Sequence, residues 1–157
     1  MKKYLLLGLL PLAFAATISD ARENRLVKCK ISAARADQGQ GGPALVANVP
    51  RSMTPISLNA VQMTDKTLRK KMVVEALFAM RTENNNIEVV TRFVNCTNND
   101  LVVQARASFM DKNQMPTEKT SVWRNVHVPA RATGVFQERS IGGTDVEAFL
   151  VEIRNGN

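Results

Sequence analysis

Few side chains in this chain of 157 residues could carry covalent or proton-transfer chemistry, and they stand far apart. Cys29 and Cys96 are its only thiols. A Cys-x-x-Cys redox motif needs its two cysteines within one turn of backbone, and this spacing rules that motif out. His127 is the only imidazole. It lies between Val126 and Val128, and its alternate neighbours Asn125 and Pro129 supply neither a nucleophile nor a carboxylate. It therefore reads as a strand-surface histidine and not as a general base. No Cys/His cluster has zinc-ligand spacing. Asp111 has no carboxylates following at alternate positions, as a calcium loop requires, and reads as a turn aspartate that caps its own backbone. A phosphate-cradling glycine loop and a G-x-S-x-G elbow are both missing. Trp123, the one tryptophan, is expected on a strand, covering a core. These residue types predict a protein that is not an enzyme and uses no metal or cofactor.

The remaining charged feature is the run Arg69, Lys70, Lys71 in "LRKKM". Its plain reading is a solvated turn or the start of a strand. The sharper reading is contact with an anionic surface such as lipid headgroups. The formal net charge is +7, but the basic residues are otherwise scattered and aromatic residues make up only 5%, so nucleic acid is not an expected partner.

The N-terminus addresses the compartment. Lys2 and Lys3 precede the apolar run "YLLLGLLPLAFA", and Ala13-Phe14-Ala15 places small residues where a signal peptidase cuts. The run is shorter than the roughly 20 residues that a spanning helix needs. Residues 1–15 are thus expected to be a bacterial-type signal peptide, and the mature chain is expected to be exported, periplasmic and without a transmembrane segment. In that setting Asn95-Cys96-Thr97, formally a glycosylation acceptor, carries no such meaning. Two cysteines in an exported chain favour one disulfide, Cys29 to Cys96. A free thiol pair and an intermolecular bridge remain the alternatives.

The elements that must position these residues change character along the chain. "ENRLVKCKIS" alternates Val27, Cys29 and Ile31 against Lys28 and Lys30, a short strand. The following stretch to Pro55 holds Gly39, Gly41, Gly42, Pro43, Pro50 and Pro55 and reads as a long loop, so residues 16–55 form an irregular N-terminal arm. From Ile56 a period of two dominates. "ISLNAVQM" is a candidate strand with Ile56, Leu58 and Ala60 on one face. "KMVVEALFAMRT" reads as a strand with Met72, Val74, Ala76, Phe78 and Met80 aligned. A helix is the alternative, with Leu68, Met72, Ala76 and Met80 as its stripe behind a cap at Thr64 or Asp65. Ile87, Val89, Thr91 and Phe93 share a face in the next strand. Leu101, Val103, Ala105, Ala107 and Phe109 oppose Gln104, Arg106 and Ser108 in the one after it. "VWRNVHVP", "RATGVFQERS" and a last strand bearing Phe149, Val151 and Ile153 complete the series. Six to seven short strands over residues 56–157 predict an all-β, immunoglobulin-like antiparallel β-sandwich.

The run "RFVNCT", "LVVQARASFMDKNQM", "WRNVHVPARATGVF" and "DVEAFLVEI" resembles the YcfL-like family of small bacterial periplasmic or outer-membrane-attached proteins. Asn95, Thr97, Asp111, Trp123 and Pro129 match its pattern, and the likeness covers roughly residues 72–154. Where that pattern has a turn glycine this chain has Gln114, so Asn113 or Gln114 must adopt the strained turn dihedrals. The lipid-attachment cysteine of some relatives is absent. The resemblance implies an immunoglobulin-like sandwich and no catalytic residues to transfer. The expected function is a non-enzymatic binding or structural module of the cell envelope, engaging a protein partner, with a secretion-type assembly as one setting. The alternative is a binder of anionic surface polymer or lipid headgroups through Arg69, Lys70 and Lys71.

Overall fold

The computed structural model describes Cys29, residues 42–46 and residues 48–156. The expected signal peptide and, apart from Cys29, the expected strand around it lie outside the described residues. Nine strands follow in order: β1 (Ala44–Leu45), β2 (Thr54–Pro55), β3 (Val61–Met63), β4 (Met72–Arg81), β5 (Ile87–Asn95), β6 (Leu101–Met110), β7 (Arg124–Val128), β8 (Thr133–Arg139) and β9 (Ala148–Asn155). One sheet has the order β1-β9-β6-β7, with β3 also paired to β9, and the other has the order β2-β4-β5-β8. All pairings are antiparallel except β3 with β9. Together they form an all-β sandwich. The neighbours β4-β5-β8 and β9-β6-β7 are those of the two sheets of an immunoglobulin-type sandwich.

The alternation read from the sequence explains which side chains fill the space between the sheets. Val103, Ala105, Ala107 and Phe109 of β6 are fully buried, as are Ile87, Val89, Thr91 and Phe93 of β5 and Phe149, Val151 and Ile153 of β9. Phe93, Phe109 and Phe149 of these strands and Phe136 of β8 are the largest buried side chains, and each contributes about 1.5–3 kcal/mol by leaving water. Leu101, expected in the inward row, is only half-buried at the strand's end.

Three expectations need correction. First, "ISLNAVQM" is not one strand. Leu58–Ala60 is a 3-10 turn whose preceding Ser57 Oγ accepts from the Asn59 N–H at 3.3 Å, and only Val61–Met63 pairs, in parallel with β9. Short polar side chains that bond nearby backbone compete with the extended form. Second, β4 is the favoured strand, but its inward row is not Met72, Val74, Ala76, Phe78 and Met80. The register shifts between Val74 and Ala76, so Glu75 is the extra residue of a bulge. One extra residue reverses the faces downstream. The buried row becomes Met72, Val74, Leu77 and Ala79, while Ala76, Phe78 and Met80 turn to the outer face. Third, the described residues before Ile56 are not wholly outside the sandwich. β1 and β2 join its sheets, and Val46 is part of its core.

Gly134 of β8 is required by packing. A Cβ there would meet Phe93 Cε2 and Val128 Cγ2, each at 2.7 Å.

Candidate functional site: the free edge of β8

Four of the five positions matched to the YcfL-like pattern, Asn95, Thr97, Asp111 and Pro129, hold corners of the fold. Asn95 is fully buried. Its Nδ2 donates to the carbonyls of Asn99 at 2.7 Å and of Val128 and Pro129, both at 3.1 Å. Its Oδ1 accepts from the Thr97 N–H at 2.9 Å and the Thr97 hydroxyl at 2.8 Å. One amide thereby ties the β5–β6 turn to the β7–β8 turn through Thr97 and Pro129. Asp111 Oδ1 accepts from the N–H groups of Asn113 and Met115 at 2.8 and 2.9 Å, and Gln114 sits at φ 62°. That is the self-capped turn the sequence predicts, with Gln114 in the left-handed region. Trp123 does not cover the core. Its ring lies on the outer face of the β9-β6-β7 sheet, with the guanidinium carbons of Arg106 and Arg154 over it at 4.4 and 4.1 Å from the centroid.

Cys29 and Cys96 form a disulfide, which fits an exported chain. Closing so long a loop stabilises by about 4 kcal/mol on the chain-entropy argument. Cys96 follows β5, and its N–H donates to the Lys71 carbonyl at 2.8 Å. The basic run therefore lies beside the cystine, in and after the 3-10 turn Leu68–Lys70. Arg69, Lys70 and Lys71 are exposed, but the Arg69 guanidinium is engaged by the Met63 carbonyl, at 3.1 Å from Nε and 2.8 Å from Nη2. Asp65 opens this segment. The Thr67 hydroxyl and N–H, both bonded to Asp65 Oδ1, hold its carboxyl below the usual carboxylate range. His127 is exposed, with Nε2 at 3.4 Å from Asp100 Oδ2. Among the described residues no group of three His, Cys, Asp or Glu side chains could hold a metal, and no helix is long and apolar enough to cross a membrane.

Two long sheet edges keep unspent backbone hydrogen-bonding capacity among the described residues, that of β7, which pairs with β6, and that of β8, which pairs with β5; the β8 edge carries the groove described below. The Ser140 N–H donates to the Ile87 carbonyl, and the Asn95 N–H donates to the Ala132 carbonyl. Those two bonds set the parity of the ladder. Residues 134, 136 and 138 bond toward β5, so the N–H and C=O groups of Thr133, Val135 and Gln137 point off the sheet. Glu138 alternates inward with Phe136 and Gly134. It leaves only 10% of its side chain exposed and meets Arg124 of β7, in the facing sheet, at 3.3 Å. Glu138 Oε2 is buried without a partner. An inward charge on an edge strand is one device by which natural sheets limit uncontrolled pairing. On the outer face Glu88, nearly fully buried, accepts from Arg139 Nε and Nη2 at 3.0 and 2.6 Å and from Gln137 Nε2 at 2.6 Å. Glu88, Arg124, Gln137, Glu138 and Arg139 line a shallow groove of about 360 Å³ along this edge. None of these five is marked by motif or spacing. Their only trace in the sequence is a carboxylate at an inward register position of a strand.

No family model and no curated protein matches this chain. Two solved structures are similar. A Campylobacter jejuni protein, cj0090, shares 15% identity with a TM-score of 0.48 over 61% of this chain and 97% of its own. A DUF1425 family member from Shewanella sp. pv-4 shares 13% identity with a TM-score of 0.49 over 74% of this chain and 98% of its own.

Proposed function

We propose that this protein is a non-enzymatic binding module of the bacterial cell envelope, working in the periplasm, that accepts an extended segment of a partner protein along the free edge of β8. The observation that carries this is the row of backbone donors and acceptors at Thr133, Val135 and Gln137 that point away from β5 with no strand beyond them among the described residues. An added strand would satisfy these groups. Each main-chain bond gained is worth about 0.5–1.5 kcal/mol net, while side-chain pockets alternating along the groove select the sequence. Val135, 51% exposed, supplies an apolar contact beside the edge.

The test is site-directed photo-crosslinking in cells from positions 135 and 137, with position 104 on the opposite sheet as the control. Adducts with one envelope protein are expected from the first two positions and not from the third. Val135→Pro removes an outward N–H without touching the ladder to β5 and is expected to abolish the adduct formed from position 137. Retention of that adduct in the folded Val135→Pro protein would overturn strand addition. The basic turn supports the second reading, an anionic polymer or lipid surface, less well, because Arg69 is already engaged by a carbonyl. Capture that survives molar salt separates the two, since screening removes attraction between exposed charges.

A further inference from the structure

The outer face of the β9-β6-β7 sheet carries an arrangement that strand addition at β8 does not use. Gln104 and Arg106 of β6 and Glu152 and Arg154 of β9 alternate away from buried neighbours, and Asn125 of β7 pairs with Gln104 beside them. Their side chains form one continuous chain of contacts. Glu152 Oε2 accepts from Arg106 Nε at 2.7 Å. The Arg106 and Arg154 guanidiniums both lie over the Trp123 ring. Arg154 Nε donates to Gln104 Oε1 at 2.8 Å, and Gln104 Nε2 donates to Asn125 Oδ1 at 2.9 Å.

In both arginines the partner within the chain takes Nε. The Nη groups, the fork that recognises planar or tetrahedral oxyanions, donate to nothing among the described residues. Arg154 is exposed and 32% of the Arg106 side chain is open to solvent. Stacking on an indole fixes the plane of a guanidinium while leaving its edge free. The two forks are thus oriented in advance, and little rotamer freedom remains to be lost on binding. Glu152 offsets one of the two positive charges, so the site keeps a net positive charge and carries a built-in competitor for any anion.

We propose that Arg106, Trp123 and Arg154 form a binding site for a phosphate group, with the two guanidinium forks as its donors and Trp123 as the plate that orients them. The phosphate can be a free ion or the monoester of a larger molecule, and the two are separated by using inorganic phosphate and glycerol 3-phosphate as probes. Recognition of the phosphate alone gives equal affinities for the two probes. Recognition of an ester adds affinity for the second.

The chain contains one tryptophan, so its emission reports on this site without labelling. Titration of the oxidised, full-length protein at constant ionic strength with either probe is expected to shift that emission saturably, with sodium chloride as the blank. Arg154→Gln and Arg106→Gln are each expected to weaken binding at least ten-fold. Arg154→Lys should restore little of it, because an ammonium lacks the fork. Glu152→Gln is expected to tighten binding by roughly five-fold, since it removes a nearby like charge. A purely structural stack would not produce that gain, which also keeps the test decisive if an arginine variant folds poorly. A linear, unsaturable response, or equal affinity in the wild type and Glu152→Gln, would overturn the proposal. Either result leaves crosslinking at β8 untouched, so the two readings fail separately.

Discussion

Strands β6 and β8 both alternate buried and exposed side chains, but they sit in different company. β6 hydrogen-bonds to β9 on one side and to β7 on the other. Among the described residues β8 bonds to β5 only. On β6 every inward residue from Val103 to Phe109 is apolar and fully buried. On β8 the inward series Gly134, Phe136, Glu138 ends in a carboxylate held by Arg124 from the facing sheet. The difference shows what an edge requires beyond a hydrophobic face. A central strand is specified by its core row alone. An edge strand must fill the core and also limit what joins its outer side. Here an inward charge does so over one part of the strand, and Thr133, Val135 and Gln137 are left open over the rest.

The largest effect should come from breaking the β6 row. Val103→Asp buries an unpaired charge between two sheets and should cost about 3–5 kcal/mol, read as loss of a cooperative thermal transition. Gln104→Asp, one residue away on the outer face, should cost less than about 1 kcal/mol. Similar melting temperatures for the two variants would refute the β6 register.

Next is Gly134→Ala in β8. The added methyl meets Phe93 and Val128 at 2.7 Å, and relieving that overlap should cost about 1–3 kcal/mol in chemical denaturation. A neutral result would show that β8 can move away from β5 without penalty, which sharpens the contrast with β6.

A smaller effect is expected at the Arg124–Glu138 pair. Arg124 is more than half exposed, so Arg124→Gln should cost only about 1 kcal/mol after solvent screening. Glu138→Gln in the same chain should recover part of that loss, because the partner left behind would no longer be charged. A double variant as unstable as the sum of the two singles would mean that the pair does not close this side of the sandwich.

The smallest effect belongs to Val135→Pro, whose N–H faces away from β5 and bonds nothing there. Stability should change by less than about 0.5 kcal/mol. A large loss would place the Val135 N–H in the ladder and exchange the open and bonded positions of β8.

Much of the sandwich was legible in the sequence, because an antiparallel sheet with one wet face writes its period of two directly into residue type. The inward rows on β5, β6 and β9 follow that rule, apart from Leu101 at the start of β6. β4 broke the rule at Glu75, since a bulge inserts one residue without changing composition or apolar content. β1 and β2 escaped for a different reason. Two-residue strands in a glycine- and proline-rich stretch have no period to detect, and they are extended only because β9 and β4 supply their hydrogen bonds.

The candidate sites divide along the same line. Asp111 was readable as a turn cap because its bonds are local, two and four residues ahead. Asn95 was visible as a matched position but not as the amide that joins two turns, because its acceptors lie 33 and 34 residues away. Trp123 reads as a core cover because a lone tryptophan on a strand usually is one, whereas Arg106 and Arg154, brought beside it from other strands, give its ring a partner outside.

By itself the sequence determined the inward rows of β5, β6 and β9, the local turn chemistry at Asp111 and the cysteine pair available for a disulfide, because each depends on residue type and short spacing. Only the tertiary structure decided which strand lies at an edge, which carboxylate meets Arg124 and which guanidiniums stack on Trp123. Those facts depend on the order and register of strands distant in the chain. A residue's own identity cannot report them, because the same alternation is written on a strand with two neighbours and on a strand with one.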